Sequence, residues 1–276
     1  MGGRYGAFTF CDRITEYVPA RRACATFAVP ATVAGFSSCL VAEATGQLAA
    51  WVSMAHIGFR GRPVAALARD VRMGDDVRPG DTLTLEVDVE DCDEQAVFYQ
   101  GRAHVGGRMA VRLIDCLGPM LPQDDYDSAD DLAREFALLC GAGAQPGRFE
   151  GIGEHVMETL AASADTRNAR LHVPLDAPYF VDHFPRRPVF PATLLLDHAI
   201  RVAGELVGDG GALQRVAGVT NVKMRDFIRP GEDVLLKVAR VSPGEDGARV
   251  RFTAAIGERK MATAQIAFAH AGAEVA

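Results

Sequence analysis

Runs of alternating apolar and polar residues, separated by glycine- and proline-bearing turns, account for much of this chain. A period of two is the signature of half-buried strands. It predicts strands over Ala23 to Val29, Pro63 to Val71, Thr82 to Val89, Ala96 to Val105 and Arg108 to Cys116, the last two joined by the hairpin signal Gly106-Gly107. A different pattern begins at Ser37 and Ser38, either of which can cap a helix running to about His56 and stopping before Gly58. Its apolar positions, Leu40, Val41, Leu48, Trp51 and Val52, fall almost all round the axis, as expected of a helix enclosed by other structure. Glu43, Gln47 and His56 within the same stretch argue against a membrane span. A second apolar helix opens at Pro191. Between the two halves, Pro122 to Gly147 breaks the pattern. The run Asp124 to Asp127 reads as a solvated linker face, and Ser128 caps a short helix with Leu132, Phe136 and Leu139 on one side and Gly141 as its stop.

The pattern is written twice. Val29-Pro30 recurs as Val173-Pro174 and Phe36 as Phe180, each 144 residues on, while Val77 to Asp81 recurs as Ile228 to Glu232 at an offset of 151. The two apolar helices align at an offset of 154, which sets Glu43 on Asp197. A repeat of this length is a duplicated domain, not a solenoid. The first copy lacks ten residues of the second, and those ten cover the loop that holds His183.

Composition narrows the function classes. With 49% apolar and 24% charged residues, the 276-residue chain is globular, and its net charge of −7 is wrong for a nucleic-acid binder. The six cysteines show neither paired nor metal-ligand spacing, which suits reduced thiols. Met1 to Tyr5 lacks an apolar leader pattern, so a cytoplasmic location is expected.

One histidine stands apart. His183 sits in a loop stiffened by Pro185, Pro188 and Pro191, immediately before a helix N-terminus, a common setting for a general base. A lone loop histidine is more often structural or simply solvated. The other six have no clustered ligand spacing, and Ser37-Ser38-Cys39 lacks a nucleophile motif.

The segment His183-Phe184-Pro185, then Pro188-Val189 and Pro191, with an acid fourteen positions after the histidine, resembles the active-site segment of the bacterial β-hydroxyacyl-[acyl-carrier-protein] dehydratases. Arg4-Tyr5 and Cys11 to Ile14 resemble the opening of the same family, and the duplicated form resembles the dehydratase domains of polyketide synthases. The resemblance implies an α+β double hotdog: two fused hotdog units, each a long antiparallel sheet wrapped around a central helix. The units would be residues 1–121, without a catalytic histidine loop, and 148–276, with it, joined by a 122–147 linker carrying a short helix. The chain would be a pseudo-dimer in itself, with further homodimerisation left open.

In the family's dimers the histidine and the acid come from opposite units. Carried over, His183 is the base and Glu43 the acid, kept protonated by its apolar helix. Gln47, one helical turn on, orients the carboxyl, and the backbone N–H near Ala192 and Thr193 stabilises the oxyanion. Asp197 competes for the acid's role, but its own i+4 neighbour is Arg201, a spacing that suits an ion pair. Two departures stand out: Arg186 and Ala192 occupy places where the family usually has glycine. The implied reaction is dehydration of a 3-hydroxyacyl thioester borne by acyl carrier protein, in fatty-acid, polyketide or polyene synthesis, with no metal or redox cofactor. A hotdog acyl-thioesterase and a non-catalytic acyl-binding partner of a synthase are the alternatives.

Overall fold

The computed structural model describes residues 5–208, 214–244 and 247–270. Arg4 of the opening motif lies outside them. In the first half, strands β1 (Arg13–Val18) and β2 (Arg22–Ala28) precede helix α1 (Ser38–His56). Then come β3 (Gly61–Pro63), β4 (Leu67–Met73), β5 (Thr82–Cys92), β6 (Ala96–Val105), β7 (Arg108–Pro122) and helix α2 (Ala129–Cys140). The second half runs β8 (Val156–Ala162), β9 (Thr166–His172), α3 (Ala192–Gly208), β10 (Gln214–Met224), β11 (Asp233–Gly244), β12 (Gly247–Ile256) and β13 (Arg259–His270).

Thirteen strands form one antiparallel sheet in the order β1-β2-β5-β6-β7-β4-β10-β13-β12-β11-β9-β8, with β3 paired to the end of β7. The order reads the same from either end once the halves are matched, so the halves are related by a pseudo-twofold at the β4–β10 seam. There Val71 faces Val219. Backbones approach so closely at this seam that a Cβ on Gly218 would lie 2.5 Å from the Val71 carbonyl oxygen. Alternation does what the sequence pattern predicts for β5, where Leu83, Leu85 and Val87 are buried and their neighbours point outward; Val250, Phe252 and Ala254 of β12 alternate in the same way. The sheet curls around α1 and α3. Along α1 only His56 is exposed, and its buried hydroxyls, Thr45 and Ser53, donate to Val41 and Ala49 carbonyls one turn back. This is the double-hotdog architecture.

The duplication is visible bond for bond. Val29 N–H donates to Asp81 O at 2.9 Å and Val173 N–H to Glu232 O at 3.1 Å, while Gly80 and Gly231 return bonds to Val29 O and Val173 O. Both glycines have positive φ, as the third residue of a Pro-Gly turn requires. One alignment changes. Phe36 bridges Val77 just as Phe190 donates to Ile228 O, so Phe36 answers Phe190 and not Phe180. The ten additional residues therefore fall between Pro174 and Phe190, and Phe180 sits in a 3-10 turn, Pro178–Val181, that the first copy lacks.

Two other expectations are corrected. The strand over Pro63 to Val71 is broken into β3 and β4, and Val64 to Ala66 between them instead line a cavity. The Asp124 to Asp127 run is only half solvated. Tyr126 and Asp127 are each 1% exposed. Tyr5 donates its hydroxyl to Asp127 at 2.7 Å and Ser128 its N–H at 2.7 Å, so the acid is buried by partners that local sequence cannot reveal. The following helix behaves as read, with Ser128 capping α2 through a bond from Asp131 N–H and Phe136 packing on Tyr17 and Trp51.

Candidate active site

Stiffness in the His183 loop has a local cause. With no N–H on Pro185, Pro188 or Pro191, the loop is closed by Val189 N–H to His183 O at 2.9 Å, Arg187 N–H to Phe184 O at 3.2 Å and His183 N–H to Tyr179 O at 2.9 Å. The ring itself is then fixed: His183 Nδ1 lies 2.8 Å from Val189 O. A carbonyl only accepts, so Nδ1 carries the hydrogen and the neutral ring presents its lone pair at Nε2. Phe184 stacks on the imidazole at 4.2 Å and Phe8 meets it edge-on at 5.5 Å. Burial lowers the His183 pKa. The Glu43 carboxylate and the Val189 carbonyl oppose that shift, and the Arg62 guanidinium adds to it.

Glu43 projects from α1 in the other half. Gln47 donates to its Oε1 at 3.0 Å, and the Thr193 hydroxyl donates to its Oε2 at 2.7 Å from the first turn of α3. Gln47 also donates to Phe8 O and accepts from Phe10 N–H, both at 2.9 Å, so its amide cannot rotate away. The N–H groups of Ala192 and Thr193 donate to no described residue, as the first turn of a helix dictates. They open α3 beside His183.

His183, Glu43, Gln47 and Ala192, the four expected site residues, thus line one cavity of about 430 Å³, which lies against the β4–β10 seam. Its remaining wall is largely apolar, with Trp51, Met54, Val71, Leu113, Val219 and Met261. That volume and lining suit an acyl chain with a few polar groups at one place. Among the described residues no acidic, histidine or cysteine cluster could hold a metal ion, and no helix is long and apolar enough to cross a membrane.

Several contributors were not legible in sequence. Thr193 was read for its backbone alone. Asp182, next to the histidine, accepts from Gly6 and Phe8 N–H at 2.9 and 2.7 Å, tying the N-terminal segment to the loop. His155 and His198, without ligand spacing, meet each other at 2.8 Å, and His155 meets the Tyr179 hydroxyl at 2.9 Å behind the loop. Burial lowers both rings' pKa, His198 to about 3, so both are neutral at pH ~7. Their only signal was aromatic surroundings that the fold assembles.

Comparison with known proteins follows the same line. The ApeI-like family (ApeI dehydratase) matches residues 159–265. The 3-hydroxyacyl-[acyl-carrier-protein] dehydratase FabZ of Caldanaerobacter subterraneus is 30% identical over 101 residues, covering 35% of this chain and 72% of the relative. The chain belongs to this dehydratase family. The FabZ of Chlamydia caviae is 29% identical over 107 residues, 37% of this chain and 70% of its own. Among solved structures, an acyl-CoA thioesterase II, TesB2, of Mycobacterium marinum covers 93% of this chain and 95% of its own with a TM-score of 0.54 and 12% identity, a likeness of fold alone.

In this family member the two glycine departures have plain structural settings. Arg186 is held by the inter-unit segment, its N–H donating to Tyr126 O at 3.0 Å and its guanidinium to Asp124 O at 2.7 Å. Ala192 is half-buried at the head of α3. Asp197 pairs with Arg201 at 3.7 Å and lies close enough to Cys39 to help raise its buried thiol's pKa. Cys39 stands where Thr193 stands in the other half, so Cys39, Asp197 and Arg201 mirror Thr193, Glu43 and Gln47, without a histidine loop to face them.

Proposed function

We propose that the protein removes water from a 3-hydroxyacyl thioester, carried on acyl carrier protein, to leave the trans-2-enoyl thioester. The observation that carries this reading is the cross-unit bond from Thr193 to Glu43. It joins the acid of one half to the head of the helix that follows His183 in the other, inside a single apolar cavity. The roles divide between His183 and Glu43. His183, neutral with Nε2 free, takes the C2 proton that the thioester acidifies. That electron pair forms the C2–C3 double bond as the C3–O bond breaks, and Glu43 gives its proton to the departing hydroxyl. The open N–H groups of Ala192 and Thr193, at the positive end of α3, stabilise the charge that builds on the thioester oxygen. Water leaves, and the proton on His183 returns to Glu43.

Gln47 and Thr193 hold the carboxyl, and the Val189 carbonyl holds the imidazole, so little reorganisation accompanies the step. Membership of the dehydratase family supports the same chemistry. The pathways it fits are those that build acyl chains two carbons at a time: fatty-acid, polyketide or polyene synthesis. Incubating the protein with a 3-hydroxyacyl-carrier substrate and weighing the carrier species tests the reading. Loss of one water supports it; release of free acid instead would assign a thioesterase, and an unchanged carrier with bound chain an acyl-binding partner.

A further inference from the structure

Arg62, on β3, also lines the cavity, and its guanidinium is nearly sealed from solvent, with 12% of the side chain exposed. It has five N–H donors, yet none makes a hydrogen bond to a described residue, and Nε is buried without any partner. The nearest acid is Asp127, at 3.8 Å, beyond hydrogen-bond reach. Asp127 cannot close that gap freely, because Tyr5 and Ser128 already hold its two oxygens. The Phe184 ring lies 4.5 Å from the guanidinium carbon and takes its face, not its in-plane N–H groups. A buried guanidinium with open donors on a cavity wall, next to the ring that stacks on His183, is built for an acceptor that enters with the ligand.

The charge balance says which acceptor. Asp127 is 1% exposed and offsets Arg62; of the cavity's other charged residues, Asp182 and Asp226 outnumber Arg225, while Glu43 serves as the proton donor. An anionic ligand group would therefore add uncompensated negative charge to a buried place. We infer that Arg62 hydrogen-bonds a neutral oxygen of the acyl thioester in the cavity, either the amide carbonyl of its thiol arm or a hydroxyl or keto oxygen on its chain. The inference rests on the acyl-thioester reading of the cavity, and not on dehydration.

Saturated acyl thioesters, which have no 3-hydroxyl to lose, test it by calorimetric titration of the full chain. One pair compares decanoyl-N-acetylcysteamine with the S-pentyl thioester, which lacks the arm's amide. A second compares the decanoyl chain with one ending in a methyl ketone, and a third probe ends in a carboxylate. The oxygen-bearing member of one pair should bind roughly 10- to 100-fold tighter, the worth of a hydrogen bond to a charged group. Which pair responds identifies arm or chain, and the carboxylate should gain nothing over the ketone. Arg62→Met should abolish the preference and Arg62→Lys keep part of it. Should Arg62→Met fail to fold with Asp127 left unpaired, Arg62→Met combined with Asp127→Asn takes its place. No preference in the wild type, a preference that survives loss of Arg62, or a carboxylate that binds best each overturns the inference. Turnover of 3-hydroxyacyl substrates is measured separately, so an Arg62-dependent preference without dehydration would sink only the dehydratase reading.

Discussion

Glu43 is held by two hydrogen bonds and the His183 ring by one and by the stacked Phe184, and that restraint sets what substitutions should do. Glu43→Gln keeps the shape and a hydrogen bond to Thr193 but has no transferable proton, so dehydration should fall by roughly a hundredfold or more. His183→Ala should cost at least as much, and the double variant little more than either alone, since groups acting on one step are not additive. Asp197→Asn faces Arg201 and Cys39, not the cavity, and at equal folded fraction its kcat/KM should stay within several-fold of the wild type. Loss of turnover in folded Asp197→Asn with Glu43→Gln intact would reverse the assignment. The pH profile is a second measure at this scale. Burial lowers the His183 pKa, so the ring stays neutral, and able to accept a proton, to more acid pH than free imidazole. The acid limb of kcat/KM should lie below about pH 6.5, the ordinary imidazole value. A midpoint above it contradicts His183 as the neutral base.

The element that most depends on tertiary context is the segment between the halves. Tyr126 is fully buried, meets Phe184 edge-on at 5.3 Å, accepts a bond from Arg187, and gives its carbonyl to Arg186 N–H. The connection thereby clamps the histidine loop of the second half. Tyr126→Ala should destabilise the fold by about 3–5 kcal/mol, as for other large buried rings, and lower kcat/KM by loosening the loop. Tyr126→Phe, which loses one hydrogen bond, should cost only about 1 kcal/mol and leave activity near normal. Urea melts alongside kinetics read both. Equal behaviour of the two variants would mean that the hydroxyl, not the ring, secures the loop.

At the scale of the molecule, the pseudo-twofold sets a histidine loop opposite Glu43 in one place and no such loop opposite Asp197 in the other. Five residues separate Pro30 from Phe36, whereas fifteen separate Pro174 from Phe190, and that difference alone removes the loop that would face Asp197. A mechanism-based acyl inhibitor should therefore label one equivalent per chain, on His183. Two equivalents by intact-protein mass would contradict a silent first half. Because β4 and β10 already join within the chain, the sheet needs no second copy to complete its centre.

Much of this was open to reading from the residues. Period-two alternation marked β5, β6 and β7, the serine cap and all-round apolar surface marked α1, and the recurring Pro-Gly turns marked the duplication, because these signals are local and repeat at short range. The His183 loop was legible as a motif, and Glu43 with Gln47 as one face of a helix. What tertiary structure decided lies in contacts across large separations. Thr193 reaches Glu43 from 150 residues away, and Tyr5 reaches Asp127 from 122. The burial of an apparently solvated acid, the meeting of His155 with His198, and the open guanidinium of Arg62 have the same origin. Each depends on which side chains the curled sheet brings together, and no spacing along the chain records that, because desolvation and hydrogen bonding answer to distance in space.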